Sequence, residues 1–171
     1  VMKGNTLGIK NPGIANGFGV DLKPEIMPTP KIADRKNQDT ISVTVVVPAY
    51  NEGRKIVKCL DSILTNEYDR GNVEILIVDG NSEDDTRDIV KSWVDRLRKS
   101  PYSGFSARLL ANPKRTAATG MNTGFRAASG DVVIPFSAHA YMDRDFIEKS
   151  IQCLEDTDSD VCGCPAPLAV P

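Results

Sequence analysis

The chain has 171 residues, 40% of them apolar, with 21 Lys plus Arg against 23 Asp plus Glu and a formal net charge of −2. That is enough chain for one domain with a sizeable core, and the composition is neither disordered nor fibrous. The near-neutral balance and 6% aromatic content exclude a general nucleic-acid binder or base-stacking platform, no apolar run approaches the ~20 residues of a spanning helix, and no signal-peptide pattern is present.

Residues 1–40 carry Gly4, Gly8, Pro12, Gly13, Gly17, Gly19, Pro24, Pro28 and Pro30 with no sustained period, which predicts an extended or partly ordered arm. From Ile41 the pattern alternates between strand and helix, so 41–171 reads as the folded domain. Val43 to Val47 is β-branched throughout, as a strand buried on both faces requires, and Pro48 is its expected end. Asn51 is the expected N-cap of a helix with the stripe Ile56, Val57, Leu60, Ile63 and Leu64. Val73 to Val78 repeats the buried-strand pattern and closes on Asp79-Gly80-Asn81. Ser82 and Asp85 have capping-box spacing ahead of a helix carrying Ile89, Val90, Trp93, Val94 and Leu97. Arg108 to Leu110 predicts a short third strand. Ala117, Ala118, Met121 and Phe125 mark a third helix ended by Gly130, and Val132 to Phe136 is the fourth strand. A helix near Phe146 to Leu154 and a strand near Val161 complete the series.

The four cysteines are expected to be reduced thiols of a cytoplasmic protein. Cys59 and Cys153 fall on apolar helix faces, and Cys162 and Cys164 flank one glycine without the second ligand pair that a zinc site needs.

Strand and helix alternating at this spacing require parallel pairing with right-handed crossovers, hence an α/β, Rossmann-like layered sheet. Ligands of such sheets sit at the carboxyl ends of strands, where the strand order reverses. With the order 3-2-1-4 the reversal lies between the first and fourth strands. Ala49 to Glu52 would then meet Ser137 to His139, with Asp79 beside them.

Three blocks occur in register. They are Val46-Val47-Pro48-Ala49-Tyr50-Asn51-Glu52, then Val78-Asp79-Gly80-Asn81-Ser82-Glu83-Asp84-Asp85-Thr86, then Asn112-Pro113-Lys114-Arg115 with Gly120-Met121-Asn122-Thr123-Gly124 and Ala127-Ala128-Ser129-Gly130-Asp131. In order and spacing they resemble the family 2 glycosyltransferases of the GT-A fold, over about residues 42–164. The resemblance implies a three-layer α/β/α sandwich with a mostly parallel sheet. It implies transfer of a sugar from a nucleotide-diphosphate sugar, a UDP- or GDP-sugar first, to a glycan or lipid-linked acceptor with inversion. The setting it implies is polysaccharide or cell-surface glycan synthesis, cytoplasmic and at the inner membrane face in a longer protein.

It also implies that Pro48, Ala49, Tyr50, Asn51, Glu52 and Asp79, with Asn81 in the same turn, cradle the nucleoside. A carboxylate at Asp79 can accept hydrogen bonds from a base or ribose, and its alternative role is a helix-entry acid. Members often carry a second Asp where this chain has Gly80, which leaves the nucleobase open. Lys114 and Arg115 precede the third helix, where the fork of Arg115 would match diphosphate oxygens; the alternative is a solvated basic pair. Asn122 is expected to tie its helix to a strand tip.

At the end of the fourth strand the family normally carries Asp-x-Asp, holding a divalent cation against the diphosphate, and succinoglycan-type members carry Asp-Ala-His-Ala. This chain has Phe136-Ser137-Ala138-His139-Ala140, so its single histidine falls on the family's His and Ser137 replaces the acid. The resemblance places Ser137, Ala138 and His139 at the diphosphate, with His139 as the metal ligand. Two readings stay open: Mn²⁺ or Mg²⁺ held by His139 and the diphosphate, or metal-free binding with Lys114 or Arg115 neutralising the charge. Imidazole suits Mn²⁺ better than Mg²⁺.

The family's general base lies in an acceptor half beyond this point. Asp156, Asp158 and Asp160 read as solvated loop acids, so no base is assigned. With Val1 at the start and Pro171 at the end, the acceptor half is expected to be missing. The rival reading is a non-catalytic nucleotide-binding module or inactive fragment, favoured by Ser137, Gly80 and the missing base. A dinucleotide-binding protein is opposed by the lack of Gly-x-Gly-x-x-Gly after the first strand.

Overall fold

The computed structural model of the chain describes residues 40–69, 71–100 and 102–163, and within them strand and helix alternate four times. The elements are β1 (Val43–Ala49), α1 (Lys55–Leu64), β2 (Val73–Asp79), α2 (Thr86–Arg98), β3 (Phe105–Ala111), α3 (Ala117–Ala127), β4 (Val132–Pro135) and α4 (Phe146–Thr157). The strands form one sheet in the order β3-β2-β1-β4, as expected, and every pair is parallel. The register aligns the strand tips that matter, with Ala49 opposite Asp79 and Asp79 opposite Ala111.

Central position explains composition. Val43, Val45, Val46 and Val47 of β1 are all fully buried, because helices cover both faces of the sheet. On one face Val43, Val45, Val47, Ile75 and Ile77 pack with Ile56, Leu60, Trp93 and Ile147. On the other, Val46, Leu76 and Val78 meet Met121 and Ala127 of α3. Branched side chains fit a pleated surface packed from both sides, and each contributes about 1.5–3 kcal/mol by leaving water.

Two glycines set how close α3 and its exit come to β1. A Cβ at Gly124 would overlap Val46 Cγ1, and one at Gly130 would lie 2.6 Å from the Thr44 backbone nitrogen. Gly130 was expected to end the third helix, but α3 stops at Ala127 with Ala128 already extended. Its glycine answers instead to close backbone approach, and its N–H donates to Thr44 Oγ1 at 2.9 Å.

Beside that junction Glu74 gathers bonds from three segments. Its Oε2 accepts from Thr44 Oγ1 at 3.0 Å and from Ser129 N and Oγ at 3.1 and 3.0 Å. Its Oε1 accepts from Arg108 Nε and Nη2 at 3.1 and 2.8 Å. Burial pushes the Glu74 carboxyl up, but these bonds from Ser129, Thr44 and Arg108 outweigh it and hold the pKa below the ordinary carboxylate value.

Several local expectations are corrected. Asn51 does not cap α1, which starts at Lys55 after Arg54 with no side-chain cap. Ser82 and Asp85 make no capping box; α2 starts at Thr86, whose N–H donates to Asp84 Oδ1 at 3.0 Å. β3 is longer than the short strand expected. Val161 belongs to no strand and is 84% exposed, since no neighbouring apolar residue extends its pattern. Cys153 and Cys162 form a disulfide, with Cα atoms 6.5 Å apart, because the chain after α4 folds back on the helix. The expectation of reduced thiols is therefore overturned for these two, and with it the cysteine argument for a reducing compartment. Cys59 is free and buried, and Cys164 lies outside the described residues. The arm expected over 1–40 also lies outside them, Thr40 excepted. Among the described residues no helix is long and apolar enough to cross a membrane.

Candidate functional site

The segments leaving β1, β2, β3 and β4 converge over the carboxyl edge of the sheet and enclose a cavity of about 500 Å³. Its floor is the end of β1, Pro48 and Ala49, beside Val78 and Gly80 at the end of β2. Parallel strands deliver all of these tips to one edge, which is why residues distant in sequence meet here.

The wall from β1 and β2 is a tied pair of turns. Asn51 adopts φ 52° and Asn81 φ 61°, left-handed conformations that Asn tolerates better than most residues. Asn51 N donates to Ser82 Oγ at 3.0 Å, and Asn51 Oδ1 accepts from Glu83 N at 2.8 Å. Asp79 is 2% exposed, and its Oδ1 accepts from Ser82 N at 3.2 Å and Ser82 Oγ at 2.6 Å. Its backbone carbonyl accepts from Asn112 N at 2.7 Å.

Opposite stands the β3–α3 connection. Asn112, 4% exposed, donates through Nδ2 to Thr116 O and accepts through Oδ1 from Thr119 Oγ1, both at 2.9 Å. Thr116 caps α3 by accepting from Thr119 N at 3.2 Å. Arg115 is held at φ 62°, an uncommon conformation for a bulky residue, with Nη1 2.8 Å from Glu83 Oε1. An exposed pair of this kind contributes at most about 1 kcal/mol, so Arg115 can exchange Glu83 for a phosphate at little cost.

The last wall is the turn after β4. His139 Nδ1 lies 2.9 Å from Glu52 Oε2; the Glu52 side chain is 12% exposed and that of His139 70%. A carboxylate only accepts, so Nδ1 carries the proton toward Glu52, and Nε2 is the nitrogen left facing away from it. Beneath, the Cys59 thiol donates to Ser137 O at 3.3 Å. Burial, helped by the Glu52 charge, pushes that thiol up to about 12, so it stays a protonated donor under the turn. Further along, Met142 N donates to Ser62 Oγ and Asn66 Nδ2 to Asp143 O, both at 2.9 Å, bracing the same loop on α1 and its C-terminal end.

Pro48, Ala49, Tyr50, Glu52, Arg115, Ser137, Ala138 and His139 are thus brought together around one cavity. Asn51, Asp79 and Asn81 are not in its lining; the bonds above make Asn51 and Asp79 the frame behind it, and Asn81 lies in the turn that follows Asp79. Asn122 is exposed and does not tie α3 to a strand tip; Asn112 performs that task. Asn112, Thr116, Ala117 and Met121 also line the cavity, and sequence reasoning did not select them for it. The signal available was the polar run Asn112 to Thr116 between a strand and a helix.

A family model described as glycosyl transferase family 2 matches residues 44–168. The chain belongs to glycosyl transferase family 2. It is 36% identical over 110 residues, 64% of this chain and 33% of the relative, to a Methanococcus voltae protein. That relative is named dolichyl N-acetyl-alpha-D-glucosaminyl phosphate 3-beta-D-2,3-diacetamido-2,3-dideoxy-beta-D-glucuronosyltransferase. Glycosyltransferase AglE of Haloferax volcanii is 25% identical over 121 residues, 71% of this chain and 38% of that protein. Among solved structures, the mannosyltransferase PcManGT from Pyrobaculum calidifontis, in complex with GDP-Man and Mn²⁺, is 32% identical with a TM-score of 0.59. That likeness covers 67% of this chain and 32% of the mannosyltransferase. The family 2 domain therefore spans about a third of the length of these relatives, and its sheet is the Rossmann-like GT-A arrangement.

Whether this family 2 site can take a divalent cation turns on its donor set. Among the described residues no three His, Cys, Asp or Glu side chains stand close enough to cage an ion. What the site offers is one imidazole whose other nitrogen is fixed by a carboxylate, the arrangement usual for ligating histidines. These residues fit a cation held mainly by the oxygens of a bound diphosphate, with His139 Nε2 as its protein ligand; they do not fit a closed protein site.

Proposed function

We propose that this domain is the nucleotide-sugar half of an inverting glycosyltransferase and that residues 41–171 form it. The donor is a nucleotide-diphosphate sugar, and the acceptor is a glycan or lipid-linked hydroxyl. The observation that carries this reading is the cavity at the reversal of strand order between β1 and β4, with the Glu52–His139 pair at its rim. The complex of the 32%-identical mannosyltransferase with GDP-Man and Mn²⁺ supports it.

In this reading the nucleoside rests on Pro48 and Ala49 with the Tyr50 ring beside it, and the Asp79–Ser82 and Asn51–Glu83 bonds keep that surface in shape. Arg115 turns from Glu83 to the diphosphate. Glu52 holds the His139 ring so that Nε2 is presented to the phosphate side, and Ser137 offers a hydroxyl there. A bound Mn²⁺ or Mg²⁺ would offset charge on the departing nucleoside diphosphate. The anomeric carbon is left facing out of the sheet edge, where an acceptor oxygen displaces the diphosphate with inversion. No described residue is assigned as the general base.

The test is a thermal-shift series of the chain with UDP-, GDP-, CDP- and dTDP-sugars, with Mn²⁺ and with EDTA. A ligand at 100 times its Kd stabilises by about 2.7 kcal/mol, which such a scan reads easily. One nucleotide class is expected to raise the melting temperature, more so with Mn²⁺. A flat response to all four overturns the reading, and a shift unchanged by chelation removes the cation from it. Ser137 and Gly80 favour a second reading, a nucleotide-binding module without transfer. It predicts the same shifts but no release of free nucleoside diphosphate.

A further inference from the structure

A second cavity of about 470 Å³ adjoins the first, and Ala138 and His139 line both. Most of its remaining wall is the start of α1: Arg54, Lys55 and Lys58. Positions 54, 55 and 58 share one helix face, so the three cations crowd together. The placement costs stability twice. Like charges three and four residues apart repel, and cations stand at the positive end of the helix dipole. Helix α1 has no acid in its own first turn and no side-chain cap; the acids at its start are Asp84 and Asp85 beside Gly53.

The Asp84 and Asp85 carboxylates stand 3.7 Å from the Cβ position of Gly53, just before Arg54, yet none of the three cations forms an ion pair with them. Among the described residues the ion pairs engage other cations, and all three side chains are exposed. Glu52, two residues before Arg54, has its carboxylate committed to His139. Three cations without an ion-pair partner on one concave surface are what a bound anion would reconcile. Cys59 and Ala140 add apolar lining, and the ring of Tyr141, 68% exposed, stands among them. Charge beside apolar surface suits a phosphate esterified to a hydrocarbon chain better than the free ion.

We infer that this cleft binds the phosphate of a lipid-linked acceptor, an alkyl or polyprenyl phosphoester, on the opposite side of His139 from the donor. The assignment as an acceptor site rests on the donor reading above; the anion site itself stands on Arg54, Lys55 and Lys58. Donor and acceptor would then share the His139 wall, which brings their reacting ends together without either entering the other's cavity.

The experiment titrates the ¹⁵N-labelled 171-residue chain with octyl phosphate, and separately with inorganic phosphate. Saturable octyl phosphate binding is expected, with shifts at Lys55, Lys58 and Tyr141, and with inorganic phosphate at least tenfold weaker. The triple variant Arg54→Gln/Lys55→Gln/Lys58→Gln is expected to lose at least tenfold in octyl phosphate affinity. It should keep nucleotide-sugar affinity within twofold and hold or raise the melting temperature, because the repulsion is relieved. The single variant Lys58→Gln should show a smaller loss in the same direction, independent of any folding defect in the triple variant. Unchanged affinity in the triple variant, or displacement of octyl phosphate by the nucleotide sugar, overturns the inference. Equal affinity for inorganic phosphate overturns the lipid-linked class. Octyl phosphate binding in a chain that ignores every nucleotide sugar upholds the anion site and overturns the donor reading alone.

Discussion

Replacing Glu52 by Ala tests the centre of the proposed donor site. The carboxylate lies 2.9 Å from His139 Nδ1 and is 12% exposed, so its bond is partly screened from water, whereas the His139 ring is 70% exposed and has no packed position of its own. Losing the carboxylate frees the ring to rotate and to change tautomer. For a histidine that binds a cation or phosphate through Nε2, loss of such a partner costs about 10- to 100-fold in affinity, or about 1.4–2.8 kcal/mol. The same loss should cost the fold under about 1 kcal/mol, because the imidazole already stands in solvent. Binding and stability therefore separate. Calorimetric titration of nucleotide sugar with Mn²⁺ should give Glu52→Ala about 30-fold weaker affinity, and Glu52→Gln, which retains an acceptor oxygen, a loss of about fivefold or less. In a double-mutant cycle, Glu52→Ala should add almost nothing once His139→Ala is present, since Glu52 acts through the ring. Affinity within twofold of the unsubstituted chain for Glu52→Ala, or losses that simply multiply in the double variant, would refute the role of this pair.

Three further outcomes follow from the fold. Gly124→Ala should lower the unfolding free energy by about 1–3 kcal/mol in urea titration, and Val46→Ala on top of it should restore part of the loss, because the new methyl overlaps Val46 Cγ1. Glu74→Gln should cost about 2 kcal/mol at pH 7. The folded Glu74 pKa is depressed, so its stabilisation is complete above the ordinary glutamate range and fades as pH falls through the lower folded value. The gap between the two proteins should accordingly close in acid, and a gap that persists at pH 2 would count against the network. Reducing the Cys153–Cys162 bridge, nine residues apart, should remove about 2.5 kcal/mol by loop-closure entropy. Cys153→Ser should match the reduced protein and lose all further sensitivity to reductant, and alkylation of both cysteines without reductant would exclude the bridge.

The parallel sheet is legible in the sequence because buried parallel strands impose a composition that Val43 to Val47 and Val73 to Val78 satisfy; the order 3-2-1-4 enters there as a condition, which the structure meets. Once the order 3-2-1-4 is granted, the meeting of Ala49 to Glu52 with Ser137 to His139 follows from it. What stayed hidden depends on backbone geometry. Asn51 has the residue type of a helix cap, but its left-handed conformation turns the side chain to Glu83 N instead. Gly130 has the type of a helix stop, but it is there because Thr44 lies against it. Asn112 and Asn122 are equally polar in sequence; only the fold shows that one is buried under the start of α3 and the other faces water. The cysteine bridge is hidden in the sequence because Cys162 stands beside Cys164 there, while the chain's reversal after α4 brings it to Cys153.

The parallel sheet also dictates an assembly order. Each pairing waits for a whole crossover to be made, and β1 acquires its second neighbour only when β4 arrives; the Ser42–Asp131 bond at that junction closes a separation of 89 residues. Among the described residues no hairpin exists to start the process locally, so the chain carries its most apolar strand half-covered until β4 is made. Such a chain folds slowly, and its window of vulnerability to self-association ends with the same segment that brings His139 to Glu52.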